Sequence, residues 1–203
     1  IYDANGVKLQ KRYYVNYLLN TTTDYSGPFV YTNRSIDYIL TAEGRLKRTY
    51  NGTDFSPEFF LMDHLSNVRV VLSSPTNVRQ ETDYYPFGME IPVSGSISLY
   101  SNQRKYNSKE LQTDADLQWY DYGARMYDPQ IGRWHVVDLL ADKFPALSPY
   151  QYASNNPVVC IDIDGLEGYK VTTKNIQTGV NEVKFIFDIK VKNSTNASSD
   201  QIK

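Results

Sequence analysis

At 203 residues, with 21 basic and 23 acidic side chains and a formal net charge of -2, the chain can bury a core of its own. That balance leaves no basic footprint for nucleic acid or an anionic membrane surface, and no apolar run approaches the ~18 residues of a membrane-spanning helix. A single cysteine, Cys160, excludes an internal disulfide framework, and 18 tyrosines against 8 Phe and 2 Trp point to a β-dominated chain.

In chain order, the turn Asp3-Ala4-Asn5-Gly6 leads into a strand predicted over residues 7–17. Strands over 29–31 and 36–40 flank a turn at Asn33-Arg34. A turn at Glu43-Gly44 opens a strand over 45–50, and Asn51-Gly52 is a strong hairpin dipeptide. Strands over 58–62 and 68–72 flank a turn over 63–67. Residues 91–102 read as a loop or a weakly paired edge. A strand over 120–127 ends at Asp128-Pro129. Residues 138–144 carry Leu139, Leu140 and Phe144 at helical spacing before Pro145, which predicts one or two helical turns. From about Tyr169 the texture changes. Alternation of Val183, Phe185, Phe187, Ile189 and Val191 with polar residues predicts a half-buried strand, and residues 193–203 are polar. A domain boundary is expected near 166–169.

One pattern repeats. Tyr2-Asp3-Ala4-Asn5-Gly6-Val7 has degenerate copies at Thr41–Leu46, Met62–Arg69 and Tyr127–Trp134. Tyr closes a strand, Asp accepts turn amides, Gly takes positive φ, and an apolar residue restarts pairing. One such unit cannot bury its own face, so neighbouring units must stack.

At these residues the chain resembles the YD-repeat or RHS family. The resemblance is carried by Tyr84-Tyr85-Pro86-Phe87-Gly88-Met89, by Arg104-Lys105-Tyr106-Asn107-Ser108-Lys109-Glu110-Leu111 and by Trp119-Tyr120-Asp121-Tyr122-Gly123-Ala124-Arg125-Met126-Tyr127-Asp128-Pro129. It continues in Gly132-Arg133-Trp134, Ser148-Pro149-Tyr150, Asn155-Asn156-Pro157 and Asp162-Ile163-Asp164-Gly165-Leu166. It covers roughly residues 1–166, and the linker segments resemble Bacteroidetes members. It implies an all-β fold, a strand ribbon spiralling into a hollow shell. Residues 1–83 would be terminal YD repeats, 84–166 the RHS core domain that closes the shell, and 167–203 the start of a variable toxin or effector region.

The resemblance also implies chemistry. In several family members the core cuts its own chain after the terminal Leu by an aspartyl-protease-like mechanism, which here places the cut between Leu166 and Glu167. Such a mechanism needs two carboxylates close enough to share a proton. By motif position these are Asp138 and Asp162, with Asp164 as an alternative partner for Asp138. Arg125 matches a third family residue, one able to orient a carboxylate or bind a carbonyl. Two family prolines are missing, since Ile163 follows Asp162 and Leu139 follows Asp138. Read without the family, Asp in such contexts is a turn former. A thiol–imidazole pair of Cys160 with His64 or His135 is disfavoured, because Val158-Val159-Cys160-Ile161 is an apolar run.

The resulting expectation is a secreted or cell-surface bacterial protein without metal or other cofactor, and at most a single-turnover autoprotease. Its partners would be its own C-terminal effector, the rest of the shell, and an immunity protein or target cell surface. Nucleic acid and a membrane span are not expected. The alternative is a non-catalytic structural or adhesive module, with carbohydrate binding as a weaker variant.

Overall fold

A computed structural model of the chain describes residues 1–4, 6–91 and 102–166, together with the backbone of 168–174 and 182–186. Its first half is one antiparallel meander. Strands β1 (Gln10–Val15), β2 (Leu18–Ser26), β3 (Phe29–Thr32), β4 (Ser35–Thr41), β5 (Gly44–Arg48), β6 (Phe55–Met62), β7 (Val68–Ser74) and β8 (Asn77–Glu81) lie side by side in sequence order. The turn chemistry explains the order. Asn33 and Arg34 take φ of 50° and 66°, the sign pattern of the tight hairpin turn whose twist matches its strands.

Residues 7–17 are not the single strand expected. Asn16 and Tyr17 take φ of 48° and 65° and turn the chain into β2, which the sequence reading missed along with β8. Tyr is a strand former, so nothing local marks Tyr17 as a turn residue. Its ring is fully exposed.

The sheet has two distinct faces. One buries Val30, Tyr38, Val71 and Gln80 around a paired Arg45 and Glu58, whose Nε and Oε2 lie 2.6 Å apart. The other presents Phe29, Phe55, Phe59 and Leu61, all exposed. Gly44 is required where β5 meets β6, because a Cβ there would lie 2.0 Å from the Glu58 carbonyl oxygen.

The second half builds the main core. Strands β9 (Asp83–Tyr84) and β10 (Glu90–Ile91) pair across the Tyr85-Pro86-Phe87-Gly88 turn. Strands β11 (Glu110–Gln112), β12 (Trp119–Asp121), β13 (Met126–Asp128) and β14 (Arg133–Trp134) form a four-stranded meander. Residues 120–127, expected as one strand, are therefore two, broken at Gly123 with its φ of 96°. The core is largely aromatic: Tyr106, Leu111, Tyr120, Tyr122, Tyr127, Trp134, Tyr152 and Ala153, with Tyr84, Phe87 and Cys160 packed against it. Tyr127 stacks on Tyr152 with centroids 4.3 Å apart.

Buried tyrosines need partners for their hydroxyls. Three of them find carbonyls of the Tyr85–Gly88 turn. Tyr106 donates to Pro86 at 2.8 Å, Tyr127 to Phe87 at 2.8 Å and Tyr120 to Gly88 at 3.3 Å. The Tyr122 and Tyr152 hydroxyls both bond Asn107 Oδ1.

The helix expected over 138–144 is only a 3-10 turn at Ala141–Lys143. Leu139 and Phe144 are exposed, so the helical spacing there has no surface to pack on. Strand β15 (Cys160–Asp162) pairs with β16 (Gly168–Lys174), and β16 with β17 (Glu182–Ile186). Strand β17 takes up the first part of the strand expected over 183–191. The rest of that strand, residues 92–101 of the expected loop, and 193–203 lie outside the described residues.

Candidate functional site

Arg125 follows the Gly123 turn and enters β13. The turn is set by Asp121, whose Oδ1 accepts the Gly123 N–H at 3.0 Å. The guanidinium is 2% exposed and lies over the Trp134 ring, 4.3 Å from its centroid. Stacking on an aromatic face leaves its in-plane donors free to spread to several acceptors.

Those donors collect the residues expected from the sequence. Nη2 lies 2.8 Å from Asp138 Oδ2 and 3.5 Å from Asp162 Oδ2. Nη1 donates to the Pro149 carbonyl at 3.5 Å, and Nε donates to the Gly165 carbonyl. Asp138 and Asp162, 24 residues apart in sequence, thus share one guanidinium nitrogen. Asp164 is exposed and is held through its backbone carbonyl, which accepts the Ala124 N–H at 3.1 Å. Leu166 is partly buried, and Glu167 lies outside the described residues.

Each carboxylate is also fixed locally. Asp138 Oδ1 accepts the Leu140 N–H at 2.8 Å, and the Asp138 N–H donates to Pro149. Asp162 closes β15, and its Oδ1 accepts the N–H groups of Gly165 at 2.7 Å and Leu166 at 3.2 Å. This wraps residues 162–166 into a tight loop. Gly165 has φ +84°, and a Cβ on it would lie 3.1 Å from the Arg125 nitrogen. Glycine there serves both the turn and the close approach of Arg125.

The Asp162 side chain is 2% exposed. Burial pushes its carboxyl up to about 7, with the negative charge of Asp164 adding to the rise and the Gly165 N–H and Arg125 opposing it. Burial thus favours the protonated form of Asp162, which sits beside the Asp138–Arg125 pair. Two carboxyl groups on one guanidinium, one of them inclined to hold its proton, form the kind of pair that general acid–base chemistry uses.

Two contributors were not read from the sequence. Trp134 supplies the platform under Arg125, and Lys109 Nζ donates to the Ile163 carbonyl. Both stand in the matched motifs, yet no spacing rule predicts a contact 54 residues away in sequence. The thiol–imidazole alternative finds no support. Cys160 packs against the aromatic core, His64 Nε2 bonds the Val158 carbonyl at 3.0 Å, and His135 lies against Trp119 at 3.9 Å.

No family model matches the chain. Its antiparallel β architecture is that of the RHS-type shell in solved Tc toxins. It superposes on TcdB2-TccC3 with a TM-score of 0.64 and 21% identity, over 81% of this chain and 9% of that one. On the Photorhabdus luminescens Tc holotoxin pore the TM-score is 0.63 with 19% identity, over 91% and 9%. Among curated proteins, it is 31% identical to toxin subunit YenC1 of Yersinia entomophaga over 86 residues, 42% of this chain and 9% of that protein. It is 37% identical to salivary gland surface protein 1 of Aedes aegypti over 105 residues, 52% of this chain and 3% of that protein. The chain therefore spans less than a tenth of each of these relatives. The solved structures share the fold of this chain, and the curated relatives share sequence with about half of it or less. No helix among the described residues is long and apolar enough to cross a membrane.

Proposed function

We propose that this chain is the shell-closing core of a larger secreted RHS-type toxin, and that it cuts itself once between Leu166 and Glu167. Residues 1–83 are the last shell repeats, 84–166 the core, and 167–203 the start of the cargo held inside. Its partners are that cargo and the rest of the shell, with an immunity protein or a target cell surface beyond them. The linker character points to a Bacteroidetes source.

The observation that carries this reading is the sharing of Arg125 by Asp138 and Asp162, while the same guanidinium holds the Gly165 carbonyl one residue before the cut. Asp138, as the carboxylate, takes a proton from water as the water oxygen attacks the Leu166 carbonyl carbon. Protonated Asp162 gives its proton to the carbonyl oxygen. In the collapse the C–N bond breaks, the proton on Asp138 passes to the departing Glu167 nitrogen, and a hydroxyl proton returns to Asp162. The products are a carboxyl group on Leu166 and an amine on Glu167.

Intact mass under denaturing conditions tests this, with Asp138→Asn and Asp162→Asn beside the wild type. Two fragments meeting at Leu166 and Glu167 in the wild type, and one full-length chain in each variant, are expected. An uncut wild type favours the alternative of a structural or adhesive module. The observation behind that alternative is that each carboxylate already caps its own turn.

A further inference from the structure

The loop that precedes the proposed cut is held at three successive carbonyls. Lys109 Nζ takes Ile163, the Ala124 N–H takes Asp164 at 3.1 Å, and Arg125 Nε takes Gly165. The second and third holders are neighbours on one turn and move together. Lys109 comes from a separate part of the chain, the bend between residues 106 and β11, so it constrains the loop independently.

That bend is itself rigid. Asn107 and Ser108 take φ of 46° and 57°. The Asn107 backbone N–H donates to Asn67 Oδ1 at 2.8 Å, its side-chain amide donates to the Leu65 carbonyl at 2.8 Å, and the Ser108 hydroxyl donates to the Ser66 carbonyl at 2.9 Å. The Lys109 ammonium lies 5.0 Å from the centroid of Tyr122, a ring buried in the aromatic core. A lysine drawn to a ring face and a carbonyl gives up hydration that a surface lysine keeps. Burial accordingly lowers its affinity for its proton, an effect partly offset by Asp162, Asp164 and Asp121.

We propose that Lys109 is a positioning residue for the 162–166 loop. Its ammonium pins the Ile163 carbonyl so that Asp162 and the Leu166 carbonyl stay in register with Asp138 and Arg125. It takes no proton in the reaction and touches no reacting atom. The effect on cleavage rests on the reading above, whereas the pinning of the loop does not.

The test uses the full chain in an Asp138→Asn background, which keeps it joined, and measures amide hydrogen exchange with and without Lys109→Met. Met keeps an unbranched stem of similar length and removes the donor together with its charge. The expected result is exchange at Gly165 and Leu166 faster by about tenfold or more, the scale of one charge-assisted hydrogen bond, with β12 and β13 unchanged. Lys109→Arg restores protection. With Asp138 present, Lys109→Met slows cleavage by a similar factor and Lys109→Arg recovers it. Unchanged exchange at Gly165 and Leu166, or an equal rise throughout the core, overturns the proposal. Local loosening in a chain whose wild type is never cut supports the pinning role and overturns the cleavage reading instead.

Discussion

Asp162 is an acid whose surroundings oppose its charge, and this has a consequence for stability. Its folded-state value of about 7 lies above the ordinary carboxyl value of 3.8. The folded state therefore binds a proton that the unfolded state has already released between those two values. Its contribution is fully present below pH ~3.8 and is lost as pH rises through about 7. At full shift the loss is on the order of 4 kcal/mol, an upper bound because the loop can relax. We expect Asp162→Asn to lack this decline. Urea unfolding at pH 4 and pH 8 should give a smaller difference for the variant than for an uncut Asp138→Asn reference. An equal difference in both would mean that Asp162 is ionised throughout. Cleavage should also slow above pH ~7 as the acid is lost. Of the residues at this centre, Arg125, Asp138 and Asp162 could be named from motif position, because each brings a chemistry that its motif needs. Trp134 and Lys109 act through a ring face and a backbone carbonyl, contacts that any Trp or Lys can make and that leave no pattern in the sequence.

The hairpins show at the scale of elements what local sequence can and cannot specify. Asn33-Arg34 was readable as a turn because Asn tolerates left-handed backbone, whereas Asn16-Tyr17 was hidden inside a run of strand formers. The helix expected over 138–144 failed for a different reason, since spacing alone does not supply a surface to bury it. The Tyr85–Gly88 turn is the opposite case. Its sequence is distinctive because the turn is tied to the core, with three tyrosine hydroxyls on its carbonyls and the Tyr106 ring against Gly88. Gly88 has φ +88°, and a Cβ there would lie 2.6 Å from Tyr106 Cδ1. Gly88→Ala should therefore cost about 2–4 kcal/mol, combining a left-handed backbone penalty with overpacking against a ring buried in the core. Denaturant unfolding measures it. A loss within ~0.5 kcal/mol, as for an ordinary surface substitution, would show that the turn is looser than described.

Across the whole molecule, the first repeat is tied to the core through charges that neither part could bury alone. Lys8 Nζ lies 3.2 Å from Glu110 Oε2 and 2.9 Å from Asp121 Oδ2, and Lys11 Nζ lies 3.7 Å from Glu110 Oε1. The Tyr2 hydroxyl donates to Asp121 at 2.7 Å and the Tyr25 hydroxyl to Glu110 at 2.8 Å. Asp121 also sets the Gly123 turn, so this junction supports the turn that carries Arg125. Nothing in the sequence announces the pairing, because the partners lie about a hundred residues apart and every repeat bears similar charges. Burial alone would raise Asp121, but Lys8, the Tyr2 hydroxyl and the Gly123 N–H together hold it below the ordinary carboxylate value. A depressed folded value means that stability is present above the unfolded pKa and is lost as pH falls through the folded one. The junction should therefore weaken in acid below pH ~4, the reverse of the trend at Asp162. Lys8→Met removes the cation paired with buried Asp121, while Glu110 keeps Lys11, and should cost about 3 kcal/mol at pH 7. The same variant should lose less stability than the wild type on acidification, because its Asp121 begins from a higher folded value. Urea unfolding at pH 7 and pH 3, with trypsin cutting near Lys11 and Arg12 as a local probe, separates the outcomes. Faster cutting there with unfolding of the core unchanged would mean that the first repeat is merely docked. Loss of both together would mean that repeat and core fold as one unit, with the junction holding the turn of Arg125 in place.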